Sequence, residues 1–178
     1  YDKGSFIKNI ILDNILPSDI YIKSKELHFN TNESRVIFLI KFFGKTDMLP
    51  FEMLQNMFPE KAKDYVISVG EHDIVLVKDV KPGTENKDFE KIATNIADTL
   101  SAEFYTQVAI GISSVVENIK DLARAYKEAQ VALEVGKVFE NEKNIISYEN
   151  LGIGRLIYQL PVPLCKMFIK EIFDISEI

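Results

Sequence analysis

The sequence is poor in the residues that build disulfides and metal centres. Cys165 is the only cysteine, and His28 and His72 are the only histidines. A single cysteine excludes an internal disulfide, and nothing in the composition points to an oxidising compartment, so we expect a cytoplasmic protein. Cys165 stands in an apolar helical context with no histidine near it in sequence. A small buried thiol is therefore a simpler interpretation than a nucleophile.

Long apolar runs and an excess of positive charge are also missing. No segment approaches the roughly 18 to 20 apolar residues that a membrane-spanning helix needs. No charged leader precedes a cleavable apolar segment, so we expect no membrane contact. The formal net charge is -6. Because binding to phosphates requires a basic patch, we do not expect these residues to hold nucleic acid themselves.

What is present is enough apolar sequence for one core. The chain has 178 residues, of which 47% are hydrophobic, and a length in this range favours one domain over two. Tyr1 is not an initiator methionine and Ile178 ends inside helical sequence, so we expect a piece of a longer chain. We predict a helical linker at 1–30, an α+β domain at 31–148 and a helical segment at 149–178.

Apolar periodicity predicts the elements of the α+β domain. Helical spacing predicts helices at 5–15, 50–58 and 86–104, with Pro17 ending the first, and a less regular short helix after it. Apolar runs bounded by turn residues predict strands at 36–43, 64–69, 74–79 and 106–112. The order β-α-β-β-α-β predicts a ferredoxin-like α+β sandwich, with helices on one face of a mainly antiparallel sheet.

The clearest pattern lies between residues 108 and 157. An apolar stripe predicts a helix against the sheet; it comprises Ile119, Leu122, Tyr126, Ala129, Leu133, Gly136 and Phe139. A second row of small side chains predicts a close approach to the neighbouring element; it comprises Ala125, Ala129, Ala132 and Gly136. Asn118 is the predicted N-cap of this helix.

Residues spread over this stretch resemble a known family. They are Gly111, Ile112, Tyr126, Glu128, Ala129, Ala132, Leu133, Tyr148, Glu149, Leu151 and Gly152. The succession is similar to the GGDEF-like middle domain of bacterial sugar-diacid and purine-catabolism regulators, the CdaR/PucR type. The resemblance implies a degenerate nucleotide-cyclase-like fold. It also implies an upstream sensor and a downstream helix-turn-helix that binds DNA, both outside these residues.

The predicted hairpin turn is where cyclases with this fold carry Gly-Gly-Asp/Glu-Glu-Phe. Here it reads Gly70, Glu71, His72, Asp73 and Ile74, with a glutamate in place of the second glycine. Those cyclases also need a metal-binding aspartate at the end of the first strand. No acidic residue lies between Arg35 and Thr46, and Lys41 would repel a metal there. We therefore expect no cyclase activity, no catalytic residue and no cofactor.

The same turn raises a second hypothesis, a metal site made by Glu71, His72 and Asp73. Adjacent residues at a hairpin tip rarely converge on one ion, so a solvated turn is the preferred interpretation and we expect no metal.

The C-terminal segment carries more apolar surface than one helix can bury. We predict a partner surface formed by Leu156, Leu160, Leu164, Phe168 and Ile172. Its partner is either a second copy, which would make the complete protein a homo-oligomer, or the domain that follows. The leading hypothesis for function is a non-catalytic signal-relay and dimerisation domain of a transcriptional regulator. The alternative is a small-molecule effector-sensing domain with a pocket on the sheet face or in a helix crevice. A residual nucleotide cyclase is a third, less favoured hypothesis.

Overall fold

The chain forms a five-stranded sheet with helices on both faces. This computed structural model describes residues 2–44, 49–138 and 144–152, together with Pro163, Leu164, Lys166, Met167 and Lys170, which are helical. The helices are α1 (Lys3–Ile11), α2 (Pro17–Glu26), α3 (Leu49–Met57), α4 (Asn86–Phe104) and α5 (Leu122–Val138). The strands are β1 (Arg35–Phe43), β2 (Tyr65–Ser68), β3 (Asp73–Asp79), β4 (Gln107–Ile112) and β5 (Ile145–Ser147). Short 3-10 turns occupy Ile119–Asp121 and Tyr148–Asn150.

The strand order is β2-β3-β1-β4-β5, with β1 at the centre of the sheet. The pairs β2–β3, β3–β1 and β1–β4 are antiparallel, as in a β-α-β-β-α-β sandwich, while β5 adds to β4 in parallel. The predicted ferredoxin-like α+β sandwich is confirmed. The short extended segment after α5 becomes its fifth strand.

Strand β1 is apolar on both faces, and each face has its own core. Phe38 and Ile40 pack on one face with α3 and α4. Ile37 and Leu39 pack on the other face with α1 and α5. The two helices of the β-α-β-β-α-β succession, α3 and α4, therefore cover one face as predicted, and α1 and α5 cover the other. Because successive strand residues point to opposite faces, a continuous apolar run requires cover on both sides.

Helix α1 belongs to the core, with Phe6, Ile7, Ile10 and Ile11 all buried. It begins after Asp2, whose Oδ1 accepts a hydrogen bond from the Ser5 amide at 2.7 Å, and it ends at Ile11.

Pro17 does not end α1; it is the first residue of α2. At that position the missing N–H would have no helical partner in any case. The prediction for Pro17 was therefore wrong. The three-segment division at residues 30 and 148 stays a prediction.

Helix α5 lies unusually close to β4. A methyl group at Gly111 would overlap the carbonyl oxygen of Ala129, and one at Gly136 would overlap the side chain of Ile146. Ala125, Ala129 and Ala132 are fully buried, so the predicted close approach along this row is confirmed. The Asn118 side chain accepts from the Lys120 amide at 2.9 Å and caps the 3-10 turn that runs into α5. Phe139, at the end of the predicted stripe, lies outside the described residues.

Within the described residues, no helix combines the length and the apolar character needed to cross a membrane.

Candidate functional site

The hairpin turn between β2 and β3 is held by the backbone. Val69 donates to the Asp73 carbonyl oxygen at 3.1 Å, and Phe42 of β1 donates to the His72 carbonyl oxygen at 3.0 Å. Strand β3 begins at Asp73, one residue earlier than predicted. Ile74 is buried in the core and Glu71 is exposed. The turn therefore offers only His72 and Asp73 as half-buried polar side chains.

His72 and Asp73 point to opposite faces of the sheet. The His72 ring stands edge-on to Phe42 at 6.0 Å between ring centroids, on the side of α3 and α4. Asp73 lies on the other face, close to Leu39 and Tyr126 of the α5 side. Because strand residues alternate between faces, these two side chains cannot share one ion. In the part of the chain that the structure describes, no three His, Cys, Asp or Glu side chains cluster as metal ligands.

Lys41 and Asp73 are cross-strand neighbours at this end of the sheet. They are opposite each other in the β1–β3 register. Neither forms an ion pair within the described residues. Asp73 Oδ1 is buried and has no hydrogen-bond partner there either. The end of β1 therefore carries a cation beside an unsatisfied carboxylate oxygen.

A cavity of about 680 Å³ lies next to this pair, between α5 and the sheet. Leu39, Ala109 and Ile146 form an apolar floor contributed by β1, β4 and β5. One wall is α5, from Tyr126 to Lys137. Since a helix rises 1.5 Å per residue, this wall is about 16 Å long. The cavity is on the opposite face of the sheet from α3 and α4.

The cavity wall is charged in both signs. Lys41, Lys127 and Lys137 line it together with Asp73 and Glu134, so cations outnumber anions. Uncharged polar side chains also contribute, namely Gln107, Gln130, Tyr126 and Asn144. An apolar floor with a few polar groups around it is the usual character of a small-molecule site.

Tyr126 reports the electrostatics of the cavity. Its pKa is raised above the ordinary value of 10.0, first because burial disfavours the phenolate and second because the negative charge of Asp73 does so. The phenol is therefore a neutral hydrogen-bonding group over the whole physiological range, close enough to Asp73 to sense its charge.

Three of the residues that carry the family resemblance, Gly111, Glu128 and Ala129, have structural roles. Glu128 Oε1 accepts from the Ser114 amide at 3.0 Å and from the Ser114 hydroxyl at 2.5 Å, while its Oε2 pairs with Arg124 at 3.1 Å. These bonds fix the loop between β4 and α5, and Gly111 with Ala129 sets the contact between the same two elements. The motif therefore specifies how α5 sits on the sheet.

A comparison with known families finds the GGDEF-like domain over residues 13–135, well over half of the sequence. The chain belongs to the GGDEF-like domain family. No curated protein sequence matches it. The GGDEF-like assignment agrees with the resemblance on the domain, and the matched range includes both the turn at Gly70 and helix α5 as far as Val135.

The predicted partner surface of this GGDEF-like domain is described at one position. Leu164 is helical and exposed, and Met167 nearby is also exposed. Leu156, Leu160, Phe168 and Ile172 lie outside the described residues, as does Cys165. The partner surface therefore stays a prediction.

The alternative hypothesis placed a pocket on the sheet face or in a helix crevice, but no residue of this cavity was assigned to it from the sequence. One signal was available in β1. Lys41 interrupts its apolar run, and the alternation of strand residues places Lys41 on the same face as the buried Leu39. A lysine on an otherwise buried face of a central strand must reach either a partner or an opening. Gln107, Lys127 and Lys137 had no comparable signal, since polar residues at a strand end or on a helix surface are ordinarily solvated.

Proposed function

We propose that this GGDEF-like domain is a non-catalytic signal-relay and dimerisation domain of a cytoplasmic transcriptional regulator of the CdaR/PucR type. The observation that carries the first part is Lys41 at the end of β1, opposite Asp73. Cyclases with this fold place a metal-binding aspartate at that end of the first strand. A cation beside Asp73 opposes a divalent ion there, because like charges a few ångströms apart repel.

Catalysis is tested by incubating the full chain with GTP and either Mg²⁺ or Mn²⁺ and separating the products by chromatography. We expect no cyclic dinucleotide, because the turn and strand lack the paired carboxylates that hold two metals. An active GGDEF cyclase run in parallel shows that the conditions support the reaction. Formation of a cyclic dinucleotide by this chain would contradict the non-catalytic assignment.

The relay role is supported by the packing of α1. This helix reaches the core at four buried positions, Phe6, Ile7, Ile10 and Ile11. It contacts α5, whose buried Leu122 and Ala125 belong to the same core. Protein cores are close-packed, so α1 cannot shift without moving what it touches. A signal that displaced α1 would therefore reach α5, which runs towards the C-terminal segment.

Hydrogen exchange measures this coupling on the chain itself. Ile10→Val removes one buried methyl group and should cost about 1 kcal/mol. We expect faster amide exchange in the first turns of α5 and little change in α4 on the other face, because local openings follow packed units. Lys8→Ala, on the exposed side of α1, is the matched control and should change neither helix. Equal acceleration in α4 and α5 would refute a directed relay.

The dimerisation role is supported by the C-terminal segment. Leu164 and Met167 expose apolar side chains in a helical segment, and such surfaces on a helix commonly pair with a second copy. In the proposed regulator, DNA binding belongs to a helix-turn-helix domain outside these residues.

A further inference from the structure

The cavity beside α5 combines unsatisfied groups of two kinds. Asp73 Oδ1 is buried and accepts no hydrogen bond within the described residues. A buried acceptor without a donor costs free energy. Asp73 also lines the cavity, where its carboxylate can accept a hydrogen bond from a bound donor. Lys41, Lys127 and Lys137 line the same cavity and form no ion pair with the described part of the chain. These ammonium groups attract an anion.

The two kinds of group lie along one apolar floor. Tyr126 senses the charge of Asp73 and marks one end of the α5 wall, whereas Lys137 and Asn144 mark the other. Leu39, Ala109 and Ile146 lie beneath. A ligand that fits must therefore have an apolar body, a hydrogen-bond donor and an anionic group.

We propose that this cavity is a binding site for a small organic anion that also carries an O–H or N–H donor. The donor bonds the Asp73 carboxylate, the carboxylate or phosphate of the ligand pairs with the lysines, and the apolar body covers the floor. Glu134, the second carboxylate of the wall, disfavours ligands with several negative charges. The inference rests on the lining of the cavity and not on coupling between α1 and α5, so it does not depend on the proposed relay role.

The test uses three probes that separate the two requirements. Phloretate has a phenol donor, an aromatic body and a carboxylate; hydrocinnamate lacks the donor; tyramine keeps the phenol and replaces the carboxylate with an amine. Each is titrated into the full chain while backbone amide shifts are followed by NMR. We expect saturable shifts in β1, β4 and α5 with phloretate, and affinity at least about tenfold weaker for each of the other two, since a charge-assisted contact contributes about that factor.

Variants locate the site. Asp73→Ala should weaken the binding of phloretate about tenfold relative to that of hydrocinnamate. Only phloretate has a donor for the carboxylate, whereas the loss of the negative charge acts on both anions alike. Lys127→Ala should weaken the binding of both phloretate and hydrocinnamate. Lys127 is exposed, so this variant is not expected to perturb folding. Lys91→Ala, an exposed lysine of α4 on the other face, is the matched control and should change nothing.

Three outcomes would overturn the inference. They are no saturable binding of phloretate, equal binding of all three probes, and shifts confined to α4. None of these results would bear on GTP turnover or on exchange in α5, so failure here is distinguishable from failure of the relay proposal.

Discussion

At the scale of single residues, charge placed on a buried face matters most. Asp73 follows the turn at Gly70 and looks like a solvated turn residue in the sequence. The structure makes it the first residue of β3 and leaves its Oδ1 buried. Lys41, the charged residue near the end of β1, is its cross-strand neighbour. This pair both argues against a metal at the end of β1 and gives the α5 cavity its polarity.

Tyr126 provides a spectroscopic test of that polarity. Burial, and to a lesser degree Asp73, raise its pKa above 10.0, so its phenol should lose its proton later than an exposed tyrosine. Absorbance titration of the wild type against Tyr126→Phe isolates this group from the other tyrosines. In Asp73→Ala the pKa should fall towards 10.0 but stay above it, because burial, the larger cause, remains.

The raised pKa of Tyr126 also determines how the free energy of unfolding changes with pH. Below pH 10 the phenol is neutral in both folded and unfolded chains, so its contribution is fully present. As the pH rises through the raised folded pKa, the unfolded chain loses its proton first and the free energy of unfolding falls. Asp98→Ala, on exposed α4, is the control and should leave the Tyr126 titration unchanged. A Tyr126 pKa at or below 10.0 in the wild type would contradict the assignment.

At the scale of elements, the contact between β4 and α5 is the most constrained. An added methyl group at Gly111 would overlap the backbone carbonyl oxygen of Ala129. Backbone cannot move aside as the end of a flexible side chain could. Gly111→Ala should therefore push α5 away from the sheet and lower the free energy of unfolding by about 2 kcal/mol, measured by urea denaturation.

Gly4→Ala is the control for that substitution. Gly4 lies in α1, and its added methyl group would have an ordinary 3.5 Å contact with Asp2 Oδ1. Because alanine has a higher helix propensity than glycine, the free energy of unfolding should stay the same or rise by roughly 0.5–1 kcal/mol. If Gly111→Ala unfolds at the same urea concentration as Gly4→Ala, the close approach of α5 is wrong.

At the scale of the whole molecule, the sequence predicts elements better than it predicts what covers them. Helix α4 has the predicted bounds, because its apolar face repeats cleanly over 19 residues. Strand β1 was predicted within one residue. Which helices lie on which face could not be predicted, since β1 is equally apolar on both sides and periodicity assigns no partner.

The candidate site was predictable only in part, for a related reason. The turn at Gly70 was located by its residues, since glycine and polar side chains between two apolar runs have few other uses. The cavity depends on which side chains from β1, β3, β4, β5 and α5 meet in space. Lys127, Gln130 and Lys137 follow a spacing that also describes a solvated helix face, so local pattern alone does not distinguish the two.

The two edge strands of the sheet limit how copies of this domain can associate. The outermost strands are β2 with four residues and β5 with three. Strands this short expose few free amide and carbonyl groups, and short edge strands protect sheets against edge-to-edge pairing. Self-assembly by strand addition is therefore disfavoured, and a homodimer would have to be built from side-chain contacts between helices, an arrangement that point substitutions can dissolve without disturbing the fold.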